Sequence, residues 1–558
     1  MCCISSDGRG SRATLAWRSL AALWVLLGLS SLSITQAADL AVQRAAVAAL
    51  DGYIERALHD WQVPGAAVGV IKDDTVIFAK GYGVREIGQS APVDTGSLFE
   101  IGSLTKAMTA AALAVLVDEG KLRWDDPVVD YLPQFRLADP WVSTQVTVRD
   151  LLAHRVGFEG GTETVVPMSS RQVLQASATL RKFAPFRDTM LYSNALYDIA
   201  GELVTAVSGM SWAQFVEQRL FKPLQMSDSH ASVDTARLWK PEHLAPSMYG
   251  QAPAGRASIV DALHPNVTMP HWHTPEAVRP VPWQISLRGG AAAGSAVANL
   301  DDLLRWTRFH LSDGRGVLQP ATLEELHAAQ ALMRGESPSS SFDATWRTVA
   351  EVSPNREPAA YALGWFRNHF RGHIYLDHGG ALLGAMSDIA MLPEQGIGVV
   401  VLANSYGRGG VGLFNTAVIL RIVDVLLKAP PHDWNAVFLR QAQEEESRKS
   451  QTEARLQAAR IKDLPSSVPL ARYAGEYRNA QGIRVQIEQA GKDLLLRLPG
   501  TFSWRLEHWQ GDMFRMHVST AGVELMKFFA TFRVGAEGRV ESFDSGWALL
   551  GGTFEPVR

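Results

Sequence analysis

FEIGSLTKAMTAAAL, residues 99–113, is the stretch on which the reading of this chain turns. Gly102 and Ser103 open an apolar run, and Lys106 follows Ser103 at a spacing that puts hydroxyl and amine on one face of a helix. A serine alcohol is a poor nucleophile at neutral pH and needs a neighbouring base. Lysine can serve where burial or the positive end of a helix disfavours its ammonium form. From Ala107 to Val117 the run is apolar on nearly every face, which predicts a helix buried in the centre of a domain and ended by Gly120 as a left-handed cap. Ser103 then sits at the mouth of that helix. Serine and lysine at this spacing also arise by chance on a surface helix, so the rest of the chain must supply the remaining parts of a site.

Working outward, Leu40–Leu58 suits an amphipathic helix, and Ala67–Ile71 and Thr75–Lys80 read as strands around the turn Lys72-Asp73-Asp74. Helices are expected over about Ala195–Ser208, Ser211–Phe221 and Leu300–Leu311. The proline-rich interval Ser227–Arg288 reads as long loops over a scaffold. Tyr361–Phe366 and His373–Asp377 read as strands, with His378-Gly379-Gly380 beginning the next. Ile397–Asn404 reads as a buried strand and Gly412–Leu427 as an apolar helix. Strands first, then a helical block, then strands and a closing helix imply an α+β fold whose antiparallel sheet is completed by both ends of the domain. Gln441–Lys462 is a charged helical linker, and from Tyr473 short alternating segments predict an all-β sheet or small barrel.

The 558 residues carry a net charge of -4 with 47% apolar and 20% charged residues, a globular balance without the basic footprint of a nucleic-acid partner. Arg9, Arg12 and Arg18 precede the apolar run Leu20–Leu29 and the small residues around Ala37, the pattern of a secretory signal peptide cleaved before Ala38. Its loss would remove Cys2 and Cys3 and leave a net charge of -6. A chain without cysteine has no disulfides, thiolate zinc sites or cysteine nucleophile. The expected location is periplasmic or secreted. His271-Trp272-His273 with His264 has no nearby acidic or cysteine ligands and reads as a loop, so neither a metal nor another cofactor is expected. Asn266-Val267-Thr268 matches a glycosylation acceptor. His154 reads as a structural residue tying the loop before Gly157 to the core.

Two later segments fill roles that Ser103 and Lys106 cannot. The Tyr192 phenol, held near Lys106, could share its proton as base toward Ser103 and acid toward the leaving group. The Asn194 amide could position Lys106 and a substrate carbonyl. On a strand carrying Gly379 and Gly380 a substrate backbone can approach closely. The NH of Ala381 could there join that of Ser103 in an oxyanion hole.

With these in view the chain resembles the serine β-lactamase-like hydrolases: class C β-lactamases, DD-peptidases, D-aminopeptidases and related esterases. The resemblance spans roughly residues 45–430 and rests on FEIGSLTK, LLAHRVGF, LYSNALYDIAGELV, RLFKPLQM, YALGWF and HGGALLGAMSDIAMLPEQGIGVVVLAN, in that order. It implies Ser103 as acylated nucleophile, Lys106 and Tyr192 as proton-handling pair, Asn194 as positioning residue, and His378, Gly379 and Gly380 as the substrate-binding strand. The tail looks like the lipocalin-like domain that follows some of these hydrolases. The domains expected are a signal peptide (1–37), a hydrolase domain (38–440), a helical linker (441–469) and a β-rich domain (470–558). Where class C enzymes carry Lys-Thr-Gly, this chain has His378-Gly379-Gly380, and a neutral histidine attracts a carboxylate less than an ammonium does. That weighs against efficient β-lactam hydrolysis and toward peptidase or esterase members; by analogy with the family, amide hydrolysis in small, D-residue-containing or linearised cyclic peptides ranks above ester hydrolysis, with β-lactam hydrolysis third. The competing readings are a slow-turnover penicillin-binding or sensing protein and a binding module that works through its tail.

Overall fold

The computed structural model describes residues 38–159, 169–232, 266–281, 283, 291–333, 341–354, 358–410, 412–480, 482–498, 503–520, 523–546 and 552–557. The leader, His264 and most of the interval Ser227–Arg288 lie outside them.

An eight-stranded sheet divides the first domain. Its strands are β1 (Gly65–Lys72), β2 (Thr75–Gly83), β3 (Ala331–Leu332), β4 (Ala360–Tyr361), β5 (Phe366–Phe370), β6 (His373–Leu382), β7 (Ala385–Leu392) and β8 (Ile397–Ala403), in the order β2-β1-β8-β7-β6-β5-β4-β3. The ladders among them are antiparallel, and Ala66–Lys72 pairs with Ile397–Ala403, so the first hairpin completes the sheet begun by the last strands. Both faces are covered. On one lie α1 (Asp51–Asp60), α5 (Leu413–Leu426) and the start of α6 (Trp434–Ala459), sharing a core with Val68, Tyr375 and Val401. On the other lie α2 (Thr105–Asp118), α3 (Asn194–Ser208) and α4 (Leu300–His310), packed with Ala67, Leu376 and Val400. Alternation along each strand sends neighbouring residues to opposite cores.

Two expected boundaries shift. Tyr361–Phe366 is not one strand: the chain turns at Gly364 (φ +87°), where a Cβ would come 2.8 Å from Ala107 Cα, and resumes as β5. Conversely, β6 runs unbroken from His373 through Gly379-Gly380 to Leu382, because the pairing with β7 continues through both glycines.

The charged linker helix starts inside the first domain. Trp434, Phe438 and Ala442, spaced one turn apart, are buried in the core with α5. Trp434 Nε1 donates to Asp424 Oδ2 at 2.8 Å, and Asp424 also receives both arms of Arg371 from the turn between β5 and β6. That carboxylate ties two helices to the sheet.

Eight antiparallel strands, β9 (Gly475–Asn479) to β16 (Thr553–Pro556), close into a barrel in which the first pairs with the last. Inward-pointing Tyr477, Trp504, Phe514, Phe532 and Phe543 fill it, so Trp504 and Phe514 are core residues. Trp509 instead faces out, beneath the Arg460 guanidinium at 4.7 Å and beside Phe529, while Arg515 reaches Glu453 of α6 at 2.6 Å. The barrel is thereby clasped to the end of the helix.

Asp424→Ala should lower the stability of the first domain by about 3 kcal/mol, since it strands a half-buried guanidinium. Urea unfolding followed by tryptophan fluorescence would read this as an earlier first transition, with the barrel transition unmoved.

Candidate functional site

Ser103 lies in a tight turn, Gly102–Leu104, that feeds directly into α2. Gly102 adopts φ +50°, and a Cβ there would meet Ala381 N at 2.8 Å. Opposite, a Cβ on Gly380 would fall 1.8 Å from Ile101 O, while Ser387 Oγ donates to that same carbonyl at 2.7 Å. The turn is therefore pressed into β6, which sets Ser103 beside Ala381. Pairing of β5 with β6 ends at Phe366 and Asp377, so residues 378–382 keep one edge free of β5. Gly379 makes room on the other face, where a Cβ would come 2.8 Å from Asp388 Oδ1. The two glycines accommodate the protein's own chain as well as any substrate.

Lys106 is fully buried on the first turn of α2. Its Nζ donates to Asn194 Oδ1 at 2.7 Å and Ala293 O at 2.7 Å and lies 3.0 Å from Ser103 Oγ. With two protons directed to those acceptors, the remaining position on nitrogen faces the serine as either a lone pair or an N–H. In the neutral amine this is the lone pair, the geometry of a base for the Ser103 proton. Ala293 comes from the short helix Ala291–Gly294, held along α2 by Thr109 Oγ1, which donates to Ala292 O at 2.7 Å. A backbone carbonyl carries no side-chain signature, so this contact leaves no mark in the sequence.

Tyr192 precedes α3, and its hydroxyl shares a hydrogen bond with Ser103. Its ring lies 4.9 Å from Lys106 Nζ. Burial raises the phenol above its ordinary range, with the Ser103 bond partly opposing the rise, so Tyr192 is a neutral donor in the resting site. Ser103, Lys106, Tyr192 and Asn194 are thus brought together, with Ala381 beside the serine turn.

His378 is placed differently from the expectation of a substrate-facing group. Its ring is 1% exposed, with Nε2 at 3.0 Å from the Tyr361 hydroxyl and Nδ1 at 2.7 Å from Gly379 O. Burial, and then the positive charge of Lys106, lower its pKa to about 3. His154, buried and at φ +54°, likewise does more than brace its own loop: its Nδ1 accepts the Ser193 N–H at 3.1 Å and so fixes the strip between Tyr192 and Asn194. Its ring packs against Tyr192, Tyr197 and Tyr361. Burial, aided by the charge of Lys106, holds it neutral. Tyr361 and His154 were legible only as an aromatic in a strand and a loop histidine.

The other candidates serve the scaffold. His271 opens a β-hairpin, accepts Ile87 N–H at Nε2 and meets Asn404 O at Nδ1. In the glycosylation-like triplet, Asn266 accepts from Ser97 and donates to Asp94, and Thr268 donates to Leu98 O.

On the far face of β6, Asp377 and Asp388 share the α5 side with Asn368 and Asn415. Burial raises Asp377 to about 8, and it raises Asp388 together with the repulsion from Asp377. A carboxyl whose folded pKa exceeds its unfolded one is neutral in the folded protein while ionised in the unfolded chain, so stability falls as pH rises from about 4 to about 8. Asp377→Asn should reduce this slope, leaving the share that burial of Asp388 contributes: its melting temperature should exceed wild type at pH 8 and approach it at pH 5. Gly380→Ala, by pushing Ile101 and the serine turn off β6, should slow acylation of Ser103 by about 100-fold or more while the circular dichroism spectrum stays native.

Among known proteins, the family described as Beta-lactamase matches residues 50–423, and a domain of unknown function (DUF3471) matches residues 459–549. The unguisins hydrolase ungD' of Aspergillus campestris is 27% identical over 76% of this chain and 74% of its own length. The unguisins hydrolase ungD of Aspergillus violaceofuscus is 26% identical over 89% and 88%. The octameric penicillin-binding protein homologue from Pyrococcus abyssi superposes with a TM-score of 0.57 at 20% identity, covering 91% of this chain and 99% of that one, a likeness of fold. With the match extending over most of the chain, from α1 to α5, the protein belongs to the Beta-lactamase family of penicillin-binding-protein-like serine hydrolases.

Proposed function

We propose that this protein is an exported serine hydrolase that cleaves amide bonds in small, D-residue-containing or linearised cyclic peptides through an acyl-enzyme at Ser103. The observation that carries the reading is the seating of Lys106, whose contacts with Asn194 and Ala293 leave its third direction to Ser103 Oγ. Neutral Lys106 takes the hydroxyl proton as Oγ attacks the substrate carbonyl. The backbone N–H groups of Ser103 and Ala381 receive the developing oxyanion. As the tetrahedral intermediate collapses, the C–N bond breaks and the leaving nitrogen takes a proton through Tyr192, which is refilled from the Lys106 ammonium. Water then gives its proton to the same pair, attacks the ester and releases the acid, restoring Ser103. The names of the two fungal relatives support hydrolysis as the outcome, and the basic, apolar and small-residue order of the leader supports export.

A fluorophosphonate probe should label wild type and spare Ser103→Ala; equal labelling would remove Ser103 as the nucleophile. Lys106→Ala and Tyr192→Phe should each lower the acylation rate by about 100- to 10,000-fold. A panel of cyclic and linear L- and D-peptides, p-nitrophenyl esters and a chromogenic cephalosporin, assayed with Ser103→Ala as control, should show Ser103-dependent turnover of peptides above the other two classes. Label that persists without product release would mark a slow-turnover penicillin-binding protein instead.

A further inference from the structure

The free edge of β6 is where a substrate backbone would lie, and what that edge offers is set by His378. Gly379 O can only accept, so the hydrogen at the 2.7 Å contact belongs to Nδ1; Nε2 then accepts from the Tyr361 hydroxyl at 3.0 Å. Both ring nitrogens are thus engaged by protein groups, and the ring is enclosed by Phe366, Tyr361 and Tyr192. Tyr197 continues the layer beneath, its hydroxyl donating to Leu152 O at 2.7 Å. The imidazole has no N–H left for a ligand and no room to turn outward.

Among the described residues the charge that reaches this region is that of the Lys106 ammonium, which acts on His378 and His154 and is absent while Lys106 is the neutral base. Lys106 is itself buried, and Asn194, Ala293 and Ser103 surround its nitrogen. Among the described residues, a carboxylate brought to the β6 edge next to the scissile bond would lose water and find no donor side chain on the strand itself and no cation but the enclosed Lys106 in exchange, an unfavourable transfer. An amide at the same place loses less and can pair with the strand backbone.

We propose that the β6 edge, with His378 locked inward between Tyr361 and Gly379, selects peptides whose scissile bond is flanked on the leaving side by uncharged backbone, as in a macrocycle or an end-capped chain, against peptides whose leaving residue bears a free carboxylate. This rests on the acyl-transfer reading for the location of the scissile bond. It places specificity in a buried neutral network. Tyr361 is its positioning residue, acting through His378 without touching the substrate.

The test separates recognition from turnover. Paired peptides ending in the same residue, one as the amide and one as the free acid, are titrated into full-length Ser103→Ala by calorimetry, and their cleavage by wild type is followed in parallel. The amide should bind at least about tenfold more tightly at pH 7. Equal binding, or tighter binding of the acid, would overturn the proposal whatever the turnover. Absence of Ser103-dependent cleavage alongside a retained amide preference would instead sink the acyl-transfer reading alone. His378→Gln, in the same Ser103→Ala background, keeps the position neutral and should keep the preference. His378→Lys should shrink or reverse it, with folding of each substitution checked by thermal melting and, with Ser103 intact, by fluorophosphonate labelling. A preference that survives lysine unchanged would show that charge at this strand does not govern selection.

Discussion

The close approach of Ile101-Gly102 to Gly380-Ala381 is the constraint on which the site depends. Without side chains at Gly102 and Gly380, the turn before α2 can press into β6 until Ile101 O receives Ser387 Oγ. A helix apolar on every face then enters the core immediately behind, with Thr105 to Leu116 buried. The helix cannot tilt without opening that core, and the turn cannot lift without losing the Ser387 bond. Position is therefore fixed for Ser103 by packing at both ends of a short segment, and for Lys106 by being one turn further along the same rigid element.

That rigidity explains how a long, flexible amine can work with precision. A lysine stem carries much rotamer entropy when exposed, whereas here the stem runs through the core and its nitrogen meets groups from three separate elements. Asn194 is brought by α3 and Ala293 by the short helix packed across α3, where Gly201 lets Ala292 come within 2.5 Å of the place a Cβ would occupy. The order around Lys106 and the order of the core are the same order in this molecule. His154 extends it by holding the Ser193 N–H, which sits between the phenol of Tyr192 and the amide of Asn194.

Much of this was legible in the sequence. The apolar run after Ser103, Gly120 as its stop, the hairpin at Lys72-Asp73-Asp74 and the alternating tail correspond to α2, the β1–β2 hairpin and the barrel, because each is written in local periodicity or turn chemistry. Tertiary contacts decide the rest. Two glycines suggested a break at His378-Gly379-Gly380, yet β6 continues, since Ile101 and Asp388 occupy the space their side chains would have taken. Tyr361–Phe366 looked continuous, but Gly364 turns the chain against Ala107. The direction of the His378 ring was also beyond reach, because it depends on Tyr361, one strand away across the sheet.

The two faces of β6 show why this strand is so poor in charge. Toward α2 it carries His378, neutral and hydrogen-bonded inward; toward α5 it carries Asp377, whose carboxyl burial favours in its protonated form, across from Asp388. A strand buried between two helical layers has no water to solvate an ion, and either face must neutralise what it holds or pair it. Where pairing was available the fold used it, as at Asp424 with Arg371 and Trp434. Along β6 it did not, so the strand meets the site with backbone amides and carbonyls as its principal polar groups. Those groups match an extended peptide in any register and are indifferent to side-chain charge. Under the acyl-transfer reading proposed above, selectivity on this strand comes from what the ligand is unable to desolvate, and Ser103 and Lys106 act on whatever the neutral edge admits.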